Sequence, residues 1–278
     1  MQRERLADDI YVFTSDLYVQ VTAGLVVSQN EAVLIDTLAY PEETLQIKRF
    51  VENRLGAKVR YVINTHFHAD HTTGTCFFPE ARVVAHRLCR ELIDGRGRES
   101  LEQAKALSTD LRDVEIVLPQ IVFDTGELSL HIGTKTLRLF HAPGHSPDGI
   151  VCHLPEQDIL FAGDILMPIP YFVDGNFDDF LASLYRLRTD TYENIVQGHG
   201  EIILPGEIEA KLQSDIDYLL ALRSAVDAAL ESRNPDPKLA AIDIESCGKS
   251  RILLNGIAET LHRRNISALT RARREPTI

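Results

Sequence analysis

Short runs of apolar and β-branched residues, separated by polar residues or glycine, fill the first part of the chain. The segments DDIYVFTSD, LYVQVTAGLVVS and EAVLIDT follow this pattern, which predicts a meander of strands. A helix is predicted from about Pro41 to Leu55, because proline begins it, its apolar residues have helical spacing and Gly56 follows it. VRYVINT then predicts a buried strand, and ARVVAHRLCRELI a strand that runs into a helix.

The same order of elements returns in the second half of the chain. A polar stretch near Glu99 to Asp110 predicts a helix. Strands are then predicted at EIVLP, IVFDTG, LSLHIGT, KTLRLFHAPG, DGIVCHLP and DILFAGD. Two strand-rich halves, each followed by helices, favour an α/β fold in which two sheets pack face to face with helices outside.

The C-terminal part of the chain is predicted to be helical. From Glu207 to about Arg233 apolar residues recur at intervals of three, four or seven, as on one face of an amphipathic helix. A second helix is predicted from about Lys249 to His262, followed by a basic end that contains Arg263, Arg264, Arg271, Arg273 and Arg274. We expect a main domain over residues 1–206 and a helical extension over residues 207–278 that packs on it.

Composition and charge narrow the classes of function. The chain has 278 residues, 44% of them hydrophobic, which is enough for a large globular core. Its net charge of -12 disfavours nucleic acid as a partner, and we expect a small-molecule substrate. No apolar run has the length of a membrane span, and the segment MQRERLADDIYVF is polar, so we expect a cytoplasmic protein without membrane contact. The periodicity is compatible with a homo-oligomer, since the apolar face of the long helix could pack on the main domain or on a second chain.

The four cysteines carry no recognisable metal or disulfide motif. Cys76, Cys89, Cys152 and Cys247 are scattered along the chain without a CxxC pair. This distribution fits free thiols in a reducing compartment.

A dense histidine motif directly follows the strand VRYVINT. His66 and His68 are two residues apart at the end of this strand, so their rings point to one side while Phe67 faces the core. Asp70 and His71 follow where the chain turns, and they can face a neighbouring point. Imidazole nitrogen and carboxylate oxygen are ligands that zinc binds in proteins. The motif therefore predicts a metal centre.

Three further candidate ligands stand at the ends of later strands. His145, Asp164 and His199 each come directly after a glycine, as is needed where the backbone turns sharply or passes close to a metal ion. Single histidines elsewhere carry no such pattern, and we interpret these as ordinary side chains: His86, His131, His141, His153 and His262.

Over about residues 10–204, this motif and the three later ligands resemble the metallo-β-lactamase superfamily. The resemblance implies an αβ/βα four-layer sandwich with the site at one edge, between the two sheets. It also implies two divalent metal ions, most often zinc, with iron or manganese as alternatives. The implied ligands are His66, His68 and His145 for the first ion, Asp70, His71 and His199 for the second, and Asp164 as the bridge. Asp36, in the run VLIDT, matches the aspartate that supports the HxHxDH loop from outside the ligand shell.

The activity implied by this resemblance is that of a dinuclear hydrolase. A hydroxide that bridges the metal ions would attack a small-molecule thioester or lactone, and Asp70 would hold it and transfer its proton. A β-lactamase-like amide hydrolase is an alternative, although one large group of zinc β-lactamases has cysteine where this chain has Asp164. A mononuclear iron dioxygenase of a thiol or persulfide is a second alternative, because it needs only His66, His145 and Asp164.

Substrate choice is expected to depend on the residues that surround the metal centre. The segment MPIPYFVDGNFDDF follows Asp164, and in it we predict Tyr171, Phe172 and Asn176 as substrate contacts or oxyanion donors. Lactonases of acylhomoserine lactones usually have tyrosine three residues after the bridging aspartate. Met167 stands at that position here, which disfavours this lactone class.

Overall fold

Two β-sheets lie at the centre of the protein in the computed structural model, which describes residues 1–274. The seven strands of the first sheet are adjacent in chain order: β1 (Gln2–Ala7), β2 (Ile10–Thr14), β3 (Thr22–Ser28), β4 (Glu31–Ile35), β5 (Lys58–Ile63), β6 (Arg82–His86) and β7 (Ile121–Phe123). Strands β1 to β4 pair antiparallel. The pairs from β4 to β7 are parallel, so β4, β5 and β6 all end at the same edge of the sheet.

The second sheet has five strands in the order β12-β11-β10-β9-β8. These are β8 (Glu127–Ile132), β9 (Lys135–His141), β10 (Ile150–Leu154), β11 (Ile159–Gly163) and β12 (Asn194–Gln197). Only the β11–β12 pair is parallel. The ends of these two strands carry Asp164 and His199 to the same edge of the sandwich.

Helices cover the outer faces of both sheets. They are α1 (Pro41–Arg49), α2 (Ala69–Thr72), α3 (Arg87–Leu92), α4 (Arg98–Leu107), α5 (Phe177–Leu187), α6 (Ile208–Leu230), α7 (Pro235–Ala240) and α8 (Ile257–Arg274). Ile47 of α1 packs against the first sheet, and Leu184 of α5 belongs to the core on the outer face of the second. The predicted αβ/βα four-layer sandwich with C-terminal helices is confirmed.

The core between the sheets is tightly packed. It joins Val33 and Ile63 of the first sheet to Leu137 and Phe161 of the second. A Cβ atom at Gly24 of β3 would lie 2.2 Å from Cε1 of Phe161, so only glycine fits at this contact. This close approach fixes the position of β11, which carries Asp164, relative to the first sheet.

The C-terminal helices share a core with the second sheet. Leu219 of α6 and Leu269 of α8 belong to the same buried cluster as Leu160 and Ile195. The domain boundary at residue 206 stays a prediction.

Within residues 1–274, no helix is both long and apolar enough to cross a bilayer.

Two predicted elements are wrong. EIVLP does not form a strand, because its residues do not pair with a strand of either sheet, and β7 begins only at Ile121. The last helix begins at Ile257 rather than near Lys249, since Leu254 and Asn255 have φ angles of 52° and 55°, which a right-handed helix excludes. That helix continues to Arg274, so the predicted basic end is helical.

Other boundaries shift by a few residues. Strand β3 begins at Thr22 rather than at Leu17, because Val19 and Gln20 have positive φ angles in the preceding turn. The helix predicted from Pro41 to Leu55 changes at Phe50 into a π-helical turn that ends at Arg54. The long helix that was predicted from Glu207 extends from Ile208 to Leu230.

A buried ion cluster attaches α6 to the rest of the molecule. The Asp215 carboxylate is fully buried between two ammonium groups: it lies 2.7 Å from Nζ of Lys249 and accepts a hydrogen bond from Lys211. Lys211 also donates a hydrogen bond of 2.8 Å to the carbonyl oxygen of Met167, just beyond β11. The cluster therefore joins α6 to the segment that follows Asp164.

We predict that Asp215→Asn lowers the free energy of unfolding by about 3 kcal/mol, because it leaves two buried ammonium groups without a carboxylate. Denaturant unfolding would measure this loss. Asp217→Asn, at an exposed position of the same helix, is the matched control and should change stability by less than about 0.5 kcal/mol. Equal effects of the two substitutions would contradict the prediction.

Candidate active site

Asp36 fixes the conformation of the histidine loop from the neighbouring strand. It follows β4, which pairs in parallel with β5, and it is buried. Its Oδ1 accepts a hydrogen bond of 2.8 Å from the Thr65 N–H, and its Oδ2 accepts one of 2.7 Å from the Thr65 hydroxyl. Oδ2 also lies 2.8 Å from Nδ1 of His71. One carboxylate thus holds both ends of the loop, as expected for an aspartate outside the ligand shell.

Three imidazole rings converge in the first group of candidate ligands. Nδ1 of His68 lies 3.0 Å from Nε2 of His66 and 2.9 Å from Nε2 of His145. His66 and His145 are buried, and His68 is partly exposed. Three nitrogen atoms that point at one another in this way are suitably placed to bind one metal ion.

The second group lies beside the first. Oδ2 of Asp70 is 3.3 Å from Nε2 of His199 and 3.7 Å from Nε2 of His71. These three side chains form a second potential metal site. His66 and His71 also lie close to each other and to Asp164, so the two groups are adjacent, and the division of the six ligands between two ions stays a prediction.

Asp164 lies between the two groups. Its Oδ2 is 3.4 Å from Nε2 of His145 in the first group and 3.4 Å from Nε2 of His199 in the second. Its Oδ1 is 3.2 Å from Nε2 of His71. This position is the one that the bridging prediction requires.

Within residues 1–274, two buried atoms at this centre form no hydrogen bond of acceptable geometry. They are Nε2 of His71 and Oδ1 of Asp164, which lie 3.2 Å apart. A buried polar atom without a partner is costly, and native proteins rarely leave one. A cation bound between these atoms would satisfy both, since each can donate a lone pair. The residues at the centre therefore fit divalent metal ions.

Outer hydrogen bonds orient the imidazole rings. Nδ1 of His145 lies 2.7 Å from the Tyr171 carbonyl oxygen, and Nδ1 of His199 lies 2.8 Å from the Val19 carbonyl oxygen. Because a carbonyl oxygen only accepts, Nδ1 of both rings carries a proton, and Nε2 is the ring atom that faces the centre. Nε2 of His68 lies 3.1 Å from Oδ2 of Asp174.

The electrostatics differ between the two groups. Burial lowers the pKa of His145 to about 4, and burial followed by the neighbouring rings of His71 and His68 lowers the pKa of His66. Burial also opposes charge on His199, but the carboxylates of Asp164 and Asp70 outweigh it and raise the pKa to about 10. Burial raises the pKa of Asp70, yet His71 and His199 outweigh this effect and bring it to about 2. His66 and His145 of the first group therefore favour the neutral form, whereas in the second group Asp70 favours the ionised and His199 the charged form.

A cavity of about 590 Å³ opens above the candidate ligands. Tyr18 and Tyr40 form one wall, with their rings in edge-to-face contact at 6.4 Å. Helix α8 forms part of another wall through Ile257, Leu261 and Arg264, which follow one another at helical spacing. Arg264 is exposed, and within residues 1–274 its guanidinium makes no ion pair. The cavity therefore has the polar candidate ligands at its bottom, partly apolar walls, and one cation, Arg264, at its rim.

Of the three predicted substrate contacts, only Tyr171 lines this cavity. Phe172 is buried in the core, where its ring lies 5.6 Å from that of Phe177. Asn176 caps helix α5, because its Oδ1 accepts hydrogen bonds from the N–H groups of Asp178 and Asp179. Phe172 and Asn176 therefore contact other parts of the protein and do not face the cavity, where substrate contact was expected.

Several residues that shape the site have no recognisable motif in the sequence. Asp174 binds His68 and also forms an ion pair of 2.5 Å with Arg96. Its position directly before Gly175, in the segment after β11, is the signal that could have revealed it. Asn265 of α8 donates a hydrogen bond of 2.7 Å to the Pro170 carbonyl oxygen and accepts one of 3.2 Å from the Phe172 N–H. It thereby holds the backbone on both sides of Tyr171, whose carbonyl oxygen orients His145.

Comparison with known families gives a match to the metallo-beta-lactamase superfamily over residues 18–207. This range contains all seven candidate ligands and more than half of the chain. The chain belongs to the metallo-beta-lactamase superfamily. The resemblance inferred from the histidine motif is confirmed.

Curated members of the metallo-beta-lactamase superfamily match part of the chain. Acyl-coenzyme A thioesterase MBLAC2 of Bos taurus is 29% identical over 157 residues, which are 52% of this chain and 54% of that protein. Metallo-beta-lactamase type 2 of Pseudomonas aeruginosa is 30% identical over 174 residues, or 59% of this chain and 62% of that protein. The chain thus spans less than two thirds of the length of either relative.

A solved structure supports the fold. The metallo-beta-lactamase from Pontibacter korlensis superimposes with a TM-score of 0.61 and 22% sequence identity. The match covers 76% of this chain and 98% of that one. About a quarter of this chain lies outside the superposition.

We predict that Asp36→Asn weakens metal binding by about 10- to 100-fold, the range found for partners outside the ligand shell. Asparagine also tolerates the φ angle of 59° at this position, so the substitution removes mainly the charge that holds Thr65 and His71. Competition with a chromogenic chelator would measure the affinity. Retention of wild-type affinity would show that the loop does not need this carboxylate.

Proposed function

We propose that the protein is a dinuclear metal-dependent hydrolase of a small-molecule thioester. The observation that carries this proposal is the convergence of the seven candidate ligands in two groups that share Asp164 at the base of one cavity. Zinc is the preferred assignment for imidazole and carboxylate ligands, with iron or manganese as alternatives. The four free cysteines support the prediction of a reducing, cytoplasmic compartment.

The ligands proposed for the first ion are His66, His68 and His145, and those for the second are Asp70, His71 and His199, with Asp164 common to both. Divalent ions at these positions would supply a water molecule of lowered pKa and would polarise the substrate carbonyl. Asp70 is partly exposed to the cavity, so its carboxylate is placed to hold the attacking water and to transfer its proton to the leaving group. Arg264 would attract an anionic substrate at the rim.

Several observations favour a thioester over the other substrates. This chain has Asp164 at the proposed bridging position, whereas one large group of zinc β-lactamases has cysteine there. Met167 lines the cavity where lactonases of acylhomoserine lactones usually have tyrosine. One relative is named an acyl-coenzyme A thioesterase, and the phosphates of coenzyme A would match the charge of Arg264. The net charge of -12 also disfavours nucleic acid as the substrate.

The alternative of a mononuclear iron dioxygenase receives less support. It would need only His66, His145 and Asp164, which also lie together, with Nε2 of His66 4.0 Å from Oδ2 of Asp164. The second group would then have no role in metal binding, although Asp70, His71 and His199 converge as closely. The number of bound metal ions separates the two proposals.

We predict two metal ions per chain by elemental analysis of protein purified without chelator or metal-binding tag. Asp164→Ala should lower this content and reduce kcat/KM for acyl thioesters by at least about 100-fold, because both ions lose a ligand. Asp179→Ala, at an exposed position of α5, is the control and should retain both ions. A single iron per chain with oxygen consumption on thiol or persulfide substrates would contradict the hydrolase proposal.

We predict that Arg264→Ala raises KM about fivefold for a coenzyme A thioester, because an exposed ion pair with its phosphates is lost. KM for the corresponding pantetheine thioester, which lacks the nucleotide phosphates, should change by less than twofold. Arg264→Lys should restore most of the affinity. The difference in KM between the wild type and Arg264→Ala should diminish at high salt. Arg271→Ala, one heptad further along α8, is the control. An equal effect on both substrates would refute the assignment of Arg264 to the anionic carrier.

A further inference from the structure

A second cavity lies directly beside the one that contains the candidate ligands. Its volume is about 200 Å³, and it lies between the histidine loop, the segment from α3 to α4, and residues 111–117. Apolar side chains form most of its wall: Phe67, Ile93, Leu101, Ala104, Leu111 and Val114. We propose that this cavity binds the acyl chain of the substrate, an inference that rests on the proposed thioester hydrolysis.

The two cavities are adjacent and share one wall. His68, Ala69, Thr73, Leu111 and Asp174 line both of them. His68 is also a candidate ligand of the first ion. A thioester whose carbonyl lies at the ligands can therefore extend its acyl chain past His68 and into the apolar cavity.

Helix α4 leaves its apolar residues available to this cavity. None of its residues is fully buried, although Leu101 and Ala104 lie three positions apart on one face and are half-buried. Both side chains line the cavity. Their apolar surface therefore faces this space and is not packed in a hydrophobic core. A hydrocarbon chain would complete the burial of this helix face.

The polar groups at the boundary are already paired with one another. Asp174 binds Nε2 of His68 and the guanidinium of Arg96. The same guanidinium lies over the ring of Phe67, 4.8 Å from its centroid. Since these groups satisfy each other, they do not require a polar ligand. The remaining lining is mainly apolar, with Ser100 and Glu115 as further polar side chains, so it suits hydrocarbon better than a charged or sugar-like group.

The volume sets the length of the chain. A cavity of about 150 Å³ is known to hold a ligand of the size of benzene, so 200 Å³ accommodates roughly eight carbon atoms. Each methylene that enters an apolar site improves binding about fourfold. We therefore expect kcat/KM to rise with acyl length up to about octanoyl and to fall for much longer chains.

The test compares Ala104→Phe, which fills the cavity, with Ala106→Phe. Ala106 is exposed on the same helix and lines neither cavity, so it is the matched control. Ala104→Phe should lower the ratio of kcat/KM for octanoyl over acetyl thioesters by at least about tenfold. Ala106→Phe should leave the ratio unchanged. Leu101→Ala enlarges the cavity and should move the preferred chain length upward by roughly two carbons.

A second measurement is independent of hydrolysis. Calorimetric titration with octanoate, and with acetate as the reference for the carboxylate group, measures the contribution of the chain. Wild type and Ala106→Phe should prefer octanoate by at least about tenfold, and Ala104→Phe should lose this preference.

The two measurements separate failure of this inference from failure of the proposed function. An octanoate preference that depends on Ala104, without hydrolysis of any thioester, would support the apolar cavity as a chain-binding site and contradict the thioesterase proposal. Thioester hydrolysis with the same chain-length profile and the same octanoate preference in wild type and Ala104→Phe would overturn the acyl-chain assignment and leave the proposed function intact.

Discussion

The carboxylate of Asp164, which is buried among four imidazoles, is the constraint on which the rest of the site depends. Nε2 of His71 is 3.2 Å from its Oδ1, and the other three Nε2 atoms lie at 3.4 to 4.0 Å from its Oδ2. A buried charge is tolerated only when charged or coordinating partners surround it. The four histidines come from both sheets. The two sheets must therefore meet in one relative position for Asp164 to be stabilised at all.

The backbone around Asp164 is adapted to this crowding. Gly163 has a φ angle of 53°, which glycine adopts at little cost. At Gly198 a Cβ atom would lie 1.9 Å from Oδ1 of Asp164, so a side chain there would displace the carboxylate. On the opposite sheet, the contact between Gly24 and Phe161 determines how closely β11 approaches. Glycines thus set the distances between the candidate ligands, while the side chains of these residues supply the charge balance.

The sequence allowed the ligands to be predicted because they occur in short, local patterns at the ends of strands. The HxHxDH motif and the three Gly-preceded ligands each depend on a few adjacent residues. The contacts of Phe172, Asn176 and Asp174 depend instead on where α5 and the histidine loop pack, which no local pattern contains. For the same reason Arg264 was predicted only as part of a basic tail, although α8 places it at the cavity. The strand predicted at EIVLP failed because an apolar run alone does not show whether a sheet edge is available.

Helix α8 brings two adjacent residues to different parts of the site. Asn265 holds the backbone on both sides of Tyr171, whose carbonyl oxygen orients His145, while Arg264 faces the cavity. A ligand that binds more tightly when α8 is docked must also favour the conformation in which His145 is correctly oriented. By thermodynamic linkage, an ion bound to His145 favours the docked helix to the same degree. Metal binding at the centre would therefore be coupled to ligand affinity at the rim of the cavity, through a helix that holds none of the candidate ligands.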